Sequence, residues 1–274
     1  MKLAMGQLLV EGGEPRRNFE RAGKMVRDAA EQGCDLILFP ECMDFAWTHP
    51  SALEEAEPIP GEWSNLLISW AKKFRIGICA GLTERTERGN YNSALLIGPD
   101  GSILSHYRKI NLLEVERPYY LVGQKLEVVE TPWGKVGVNI CSDNYIDALA
   151  IGNCLARMGA RLILSPSSWT IDHDAVESDQ PYGDKWLKPY ETLARLFSLT
   201  IVGVTSVGYI VGGPYEGKKM IGQSLAVGPR GLIHASQVNE FAGTLDVITL
   251  QIDPEPVYVG TQIGAHLRIY GFPY

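Results

Sequence analysis

The sequence predicts an α/β protein of four layers, α-β-β-α, with internal pseudo-symmetry, in which residues 1–274 form a single domain. Two observations lead there. Helical and strand patterns alternate along the chain. One order of elements, helix, strand, helix, strand, hairpin, also occurs twice, closing on Gly98-Pro99-Asp100-Gly101 and again on Gly228-Pro229-Arg230-Gly231. Alternation puts helices on the outer faces of mixed sheets, and apolar residues on both sides of each hairpin require two sheets packed together.

The elements follow in order. Phe19, Ala22, Val26, Ala29 and Ala30 recur at helical spacing between Arg16 and Gln32, and Gly33 sits where a terminating glycine belongs. Asp35-Leu36-Ile37-Leu38-Phe39 is a strand buried on both faces and stopped by Pro40. Trp63, Leu66, Leu67, Trp70, Ala71 and Phe74 mark a second helix, Ile76 to Leu82 a strand, and Ser93 to Ile97 with Ser102 to Tyr107 the first hairpin. The second half repeats the pattern. Its strand Val136 to Ile140 leads to a helix with Ile151, Cys154, Leu155 and Met158, then the strand Leu162 to Leu164. A helix with Trp186, Tyr190, Leu193, Ala194 and Phe197 follows, then the strand Thr200 to Val207 and the hairpin of Ser224 to Val227 with Leu232 and Ile233. Residues 254–274, with three prolines and little periodicity, are expected to form an extended tail.

Composition bounds the partners. With 45% apolar residues the chain can bury a sizeable core, and a net charge of −7 disfavours phosphate backbones and anionic lipid. Neither nucleic acid nor membrane is expected as a partner. No run approaches eighteen apolar residues and the first residues lack a secretory pattern, so a cytoplasmic location is expected. Five cysteines without C-x-x-C spacing suit free thiols in a reducing compartment, with Cys34, Cys79 and Cys154 expected to be buried.

Ligands of α/β sheets gather at the carboxyl ends of strands, where three reactive side chains fall: Glu41, Lys109 and Cys141. Singly each has an ordinary reading as a loop charge or packed thiol. Together they are complementary. A protonated thiol needs a base, which Glu41 can supply, and the charge that develops on an attacked carbonyl or nitrile needs a cation and an N–H, which Lys109 and the backbone of Ser142 can supply. The histidines His49, His106, His173, His234 and His266 are scattered, which disfavours a Cys-His pair, and no cluster has metal-ligand spacing, so no metal or other cofactor is expected.

Phe39-Pro40-Glu41, Tyr107-Arg108-Lys109-Ile110-Asn111-Leu112 and Gly137-Val138-Asn139-Ile140-Cys141-Ser142-Asp143 resemble, in order and spacing, the three motifs of the nitrilase superfamily, the carbon-nitrogen hydrolases. The resemblance implies an α-β-β-α sandwich in which Cys141 attacks a C=O, Glu41 serves as general base and acid, Lys109 stabilises the tetrahedral intermediate, and water hydrolyses a thioester. It also implies a second glutamate shortly after the lysine. Glu114 and Glu116 compete for that place, and Glu116 before Arg117-Pro118 matches better. Homodimers or larger assemblies are implied as well.

Departures from the pattern narrow the substrate. Ser142-Asp143 stands where true nitrilases have Trp-Glu, and Asn144-Tyr145-Ile146-Asp147 lacks the arginine of branches that grip a carboxylate. The expectation is a small-molecule amide, with an N-carbamoyl compound as the alternative and nitriles or a non-catalytic scaffold as weaker ones. Ser142, Asn144, Tyr145 and Trp169 are the expected substrate contacts. The acidic stretch Asp172 to Asp184 is expected to be a solvated loop.

Overall fold

The computed structural model describes residues 1–175, 182, 184–239 and 241–253. The expected tail 254–274 and part of the acidic stretch lie outside the described residues. The first half holds β1 (Lys2–Gln7), α1 (Pro15–Glu31), β2 (Leu36–Leu38), α2 (Ala52–Glu55), α3 (Glu62–Phe74), β3 (Gly77–Thr86), β4 (Gly89–Ile97) and β5 (Ile103–Arg108). Then come β6 (Val128–Thr131), β7 (Gly134–Val138), α4 (Ala150–Arg157), β8 (Leu162–Ser167), α5 (Asp184–Phe197) and β9 (Thr200–Thr205). The chain ends with β10 (Val207–Tyr209), β11 (Lys219–Ile221), β12 (Leu225–Gly228), β13 (Gly231–Ala235) and β14 (Thr244–Thr249).

Two six-stranded sheets have the orders β14-β1-β2-β3-β4-β5 and β13-β12-β9-β8-β7-β6, and β10-β11 form a separate ribbon. Reading the second order backwards superposes the halves: β1-β2-β3 and β7-β8-β9 are the parallel centres, and β4-β5 and β12-β13 the antiparallel hairpins. The doubled pattern in the sequence therefore corresponds to two equivalent sheets.

Alternation along each strand sorts the core into layers. Leu3, Met5, Leu36, Leu38, Cys79 and Leu96 pack between the sheets with Leu162 and Leu164, whereas Ala4, Ile37, Phe39, Ile78 and Leu95 meet Phe19, Val26, Trp63 and Leu67 of the outer helices α1 and α3. Phe19 stacks on Trp63 with ring centroids 4.7 Å apart. On the other side, Trp186, Tyr190, Leu193 and Phe197 of α5 cover the second sheet.

Two expectations are corrected. Cys154 is exposed and Met158 is 48% exposed, because α4 buries Gly152, Leu155 and Ala156 instead. A Cβ on Gly152 would stand 2.4 Å from Leu193 Cδ1, so close approach to α5 sets the rotation of α4 and turns Cys154 outward. The expected strand Thr200 to Val207 breaks at Ser206, whose Oγ contacts Met220 Sδ at 2.6 Å, and the chain leaves the sheet as β10.

Candidate active site

Glu41, Lys109 and Cys141 follow β2, β5 and β7, all at carboxyl ends of strands. The Glu41 loop is laid across β3: Gly81 N–H donates to Pro40 O (3.0 Å) and Met43 N–H to Gly81 O (2.9 Å). A Cβ at Gly81 would lie 2.5 Å from Glu41 Cα, which is why this position takes glycine. Asp44 fastens the loop by accepting the N–H of Thr83 (2.7 Å) and of Phe45 (2.9 Å). Burial pushes the Asp44 carboxyl up to about 7 even against these donors. Across the sheets, Glu41 N–H donates to Ser167 O of β8 at 3.2 Å.

Lys109 is held by its backbone, its N–H on Asn92 O and its carbonyl accepting Gly123 N–H, both at 2.8 Å. Its Nζ donates to Glu41 Oε1 at 2.7 Å and to Glu116 Oε1 at 2.8 Å, with all three side chains sealed from solvent. Glu114 is exposed, so of the two competing glutamates Glu116 is the one that reaches the lysine. Two further donors converge on these oxygens. Trp47 Nε1 reaches Glu116 Oε1 at 2.8 Å, and Asn92 Nδ2 reaches Glu41 Oε1 at 2.6 Å and Glu116 Oε1 at 3.2 Å. Glu41 Oε2 has no hydrogen-bond partner among the described residues.

Cys141 opens the 3-10 turn Cys141–Asn144 with φ +45°, a left-handed conformation that turns the chain sharply off the strand. Asp143 holds that turn. Its Oδ2 accepts Ile140 N–H (2.9 Å) and Tyr107 Oη–H (2.7 Å), and its Oδ1 accepts Asn111 N–H (2.7 Å). The cysteine and lysine loops are thereby joined, and Asn111 and Ser142 exchange two side chain to backbone bonds of 2.7 Å across the same junction.

Electrostatics decide the resting protonation. For Cys141, burial is the largest effect and the charge of Glu41 adds to it, lifting the thiol well above its usual range against the pull of Lys109. For Glu41, burial raises the carboxyl, Lys109 opposes and Glu116 adds. Burial pulls Lys109 down, but Glu116 and Glu41 outweigh it and keep the ammonium charged. The site therefore sets a thiol kept neutral by burial in the field of a glutamate with one open oxygen, which in its ionised form has what general-base delivery of a thiolate requires.

The four expected substrate contacts separate. Ser142 and Asn144 are fully buried. The Ser142 hydroxyl donates to Asn111 O, while Asn144 pairs with Asn139 (2.7 and 3.0 Å) and donates to Ser165 Oγ (2.9 Å). Their side chains thus support the turn. Tyr145 is half-buried, its ring 5.1 Å from that of Trp186, with Lys185 Nζ 4.8 Å above it. Trp169 is completely buried, stacked on Trp186 at 4.6 Å, and its Nε1 has no partner among the described residues. A cavity against Glu41 is walled by Ala46, Trp47, Ser168, Ser206, Ile210 and Met220. Trp47 and Asn92 escaped the sequence reading. For Asn92 the available signal was a polar residue beside the buried run Ser93 to Ile97. Among the described residues no group of His, Cys, Asp or Glu is placed to hold a metal, and no helix is long and apolar enough to cross a membrane.

The carbon-nitrogen hydrolase family model matches residues 2–259. The chain belongs to the carbon-nitrogen hydrolase family. Within this family it is 30% identical to a nitrilase of Pyrococcus abyssi over 90% of this chain and 89% of that one. It is 32% identical to the omega-amidase NIT2-A of Xenopus laevis over 62% of this chain, a match that spans 64% of the Xenopus protein. Among solved structures, the amidase from Nesterenkonia sp. AN1 superposes with a TM-score of 0.79 at 20% identity, covering 98% of this chain and 99% of that one. That likeness establishes the same fold for this member of the family.

Proposed function

We propose that this chain hydrolyses a small-molecule amide, with Cys141 as nucleophile, Glu41 as general base and acid, Lys109 as oxyanion donor and Glu116 as the group that holds Lys109. The observation that carries the reading is the division of labour on Glu41: Oε1 is held by Lys109 and Asn92, while Oε2 is open. Oε2 takes the thiol proton as sulfur attacks the carbonyl carbon. Lys109 Nζ has two acceptors among the described residues, so its third N–H is available to the developing oxyanion. Collapse of the intermediate expels ammonia or an amine, protonated by Glu41, and leaves a thioester. Water activated by Glu41 then releases the acid and restores the thiol. The omega-amidase and amidase names of the relatives support an amide as substrate. Tyr145 is proposed as a substrate wall, Trp169 as a buried aromatic behind it through Trp186, and Ser142 and Asn144 as supports of the cysteine turn.

The family match over residues 2–259 supports one domain for the chain. Five free cysteines support a reducing, cytoplasmic setting. The exposed Ile146 and Met158, on either side of α4, support a homodimer formed on this face.

A panel of amides and N-carbamoyl compounds scored by ammonia release tests the reading. Turnover by the parent and none by Cys141→Ala is the expected outcome, and equal turnover by the two sinks it. Mass spectrometry of the trapped protein separates acyl from carbamoyl adducts. The raised Glu41 carboxyl sets the pH dependence: kcat/KM falls as pH drops through a limb above the ordinary carboxylate range, because only ionised Glu41 accepts the thiol proton.

A further inference from the structure

We propose that Asn92 is a positioning residue of this site, whose side-chain amide draws Glu41 and Glu116 onto Lys109 through their Oε1 atoms and so reserves Glu41 Oε2 as the base. This rests on the reading of Glu41 as base. Asn92 is completely buried on β4, and its two Nδ2 hydrogens reach one oxygen of each carboxylate, at 2.6 and 3.2 Å. Two carboxylates sharing a single ammonium repel each other, and an uncharged donor between them relieves that repulsion without removing a negative charge. A cation in its place would compete with Lys109, and an aspartate would add a third negative charge.

The cost of the residue speaks for a role beyond packing. Asn92 Oδ1 is buried without a partner among the described residues. An unsatisfied buried acceptor is destabilising, and an apolar side chain of the same shape would avoid it. The donors on Nδ2 are the return for that cost. The backbone of Asn92 has a separate duty, accepting Lys109 N–H at 2.8 Å, and a side-chain variant leaves it intact.

The direction of the effect follows. Hydrogen bonds to the ionised carboxylate favour it, and Asn92 is among the groups that hold the Glu41 carboxyl down against burial. The other groups that act on Glu41 come from four places: Lys109 after β5, Glu116 in the turn Glu114–Glu116, Cys141 and Tyr145 after β7, and Cys42 on its own loop. Removing the amide donors raises Glu41 further, so thiolate delivery begins at higher pH.

The test is the rate at which iodoacetamide alkylates Cys141 from acid to alkaline pH, followed by peptide mass spectrometry, with exposed Cys154 as internal reference. It requires no substrate. Asn92→Leu is expected to move the acidic limb up by about one pH unit and slow Cys141 labelling near neutrality about tenfold, with Cys154 unchanged. Asn92→Asp, nearly isosteric, moves the limb further in the same direction and serves as the test if the leucine variant does not fold. A Cys141 profile that superposes on the parent's in a folded variant overturns the proposal. The two readings fail separately. A shifted profile in a protein that cleaves no amide sinks the hydrolase reading alone, whereas amide turnover by the parent with an unshifted profile sinks the role of Asn92 alone.

Discussion

Lys109, Glu41 and Glu116 share a site with no solvent exposure, so each charge there depends on the others. Lys109→Gln leaves two carboxylates against a neutral amide and is expected to cost about 3–5 kcal/mol at neutral pH, as breaking a buried pair does. The penalty shrinks in acid. Without the ammonium, Glu41, already raised by burial, rises further, so the folded variant binds a proton that the unfolded chain has released, and its stability recovers as pH falls. Urea unfolding at several pH values reads this directly. Asp44 shows the same sign in the parent. Its carboxyl goes from an ordinary 3.8 to about 7 on folding, so its contribution is full below the unfolded value and is lost as pH rises through the folded one. The Tm difference between parent and Asp44→Asn should therefore shift against the parent from pH 4 to pH 8, and a constant difference would contradict the assignment.

At the scale of elements, the strands position the site through a few close approaches. Gly81→Ala on β3 drives a methyl into the backbone of the Glu41 loop, where no flexible side chain can yield. Such overpacking is expected to cost about 1–3 kcal/mol, and the displaced Glu41 should lower kcat/KM well beyond what the stability loss explains. Behind Lys109, Glu84 of β3 laces three strands. It accepts Arg108 Nε (2.8 Å) and His106 Nε2 (3.0 Å) from β5 and Ser93 Oγ (2.6 Å) from β4, and despite burial these partners lower its carboxyl to about 2. This contribution is present above the ordinary glutamate value of 4.5 and is lost as pH falls through about 2. Glu84→Gln should cost about 1.5–3 kcal/mol at neutral pH, the range for hydrogen bonds to a charged group, and flatten the acid limb of the unfolding curve.

For the whole molecule, the two sheets contribute unequally to one site. The first supplies Glu41 and Lys109, the second Cys141 and the Ser168 N–H that favours its thiolate. The proposed activity therefore depends on how the sheets face each other, and Glu41 N–H on Ser167 O spans that junction. The proposed homodimer has a direct check: light scattering should give twice the chain mass, and Ile146→Asp, on the exposed face beside α4, should shift it toward the monomer. A parent that remains monomeric at high concentration would remove the dimer from the model of this protein.

Period and punctuation were sufficient to read the sandwich, because apolar stripes and Gly-Pro turns are local. Both hairpins and the central strands β2, β3, β7, β8 and β9 stand where the pattern put them, whereas β1, β6 and β14 are strands the pattern did not single out. The candidate trio was also legible from three motifs that each end a strand, and the structure pairs two of its members, Glu41 and Lys109. By contrast, β1 and β14 pair across nearly the whole chain, and no local pattern announces a partner so distant. The face of α4 was misread because Gly152, invisible to a hydrophobic period, governs its contact with α5. The sequence by itself determined the fold class and brought Glu41, Lys109 and Cys141 forward as candidates, since these depend on residue type and local spacing. Tertiary structure alone decided which glutamate reaches Lys109, that Ser142 and Asn144 turn inward, and that Asn92 and Trp47 join the charge network. Those outcomes depend on which donors meet which oxygens once distant loops are brought within 3 Å of one another.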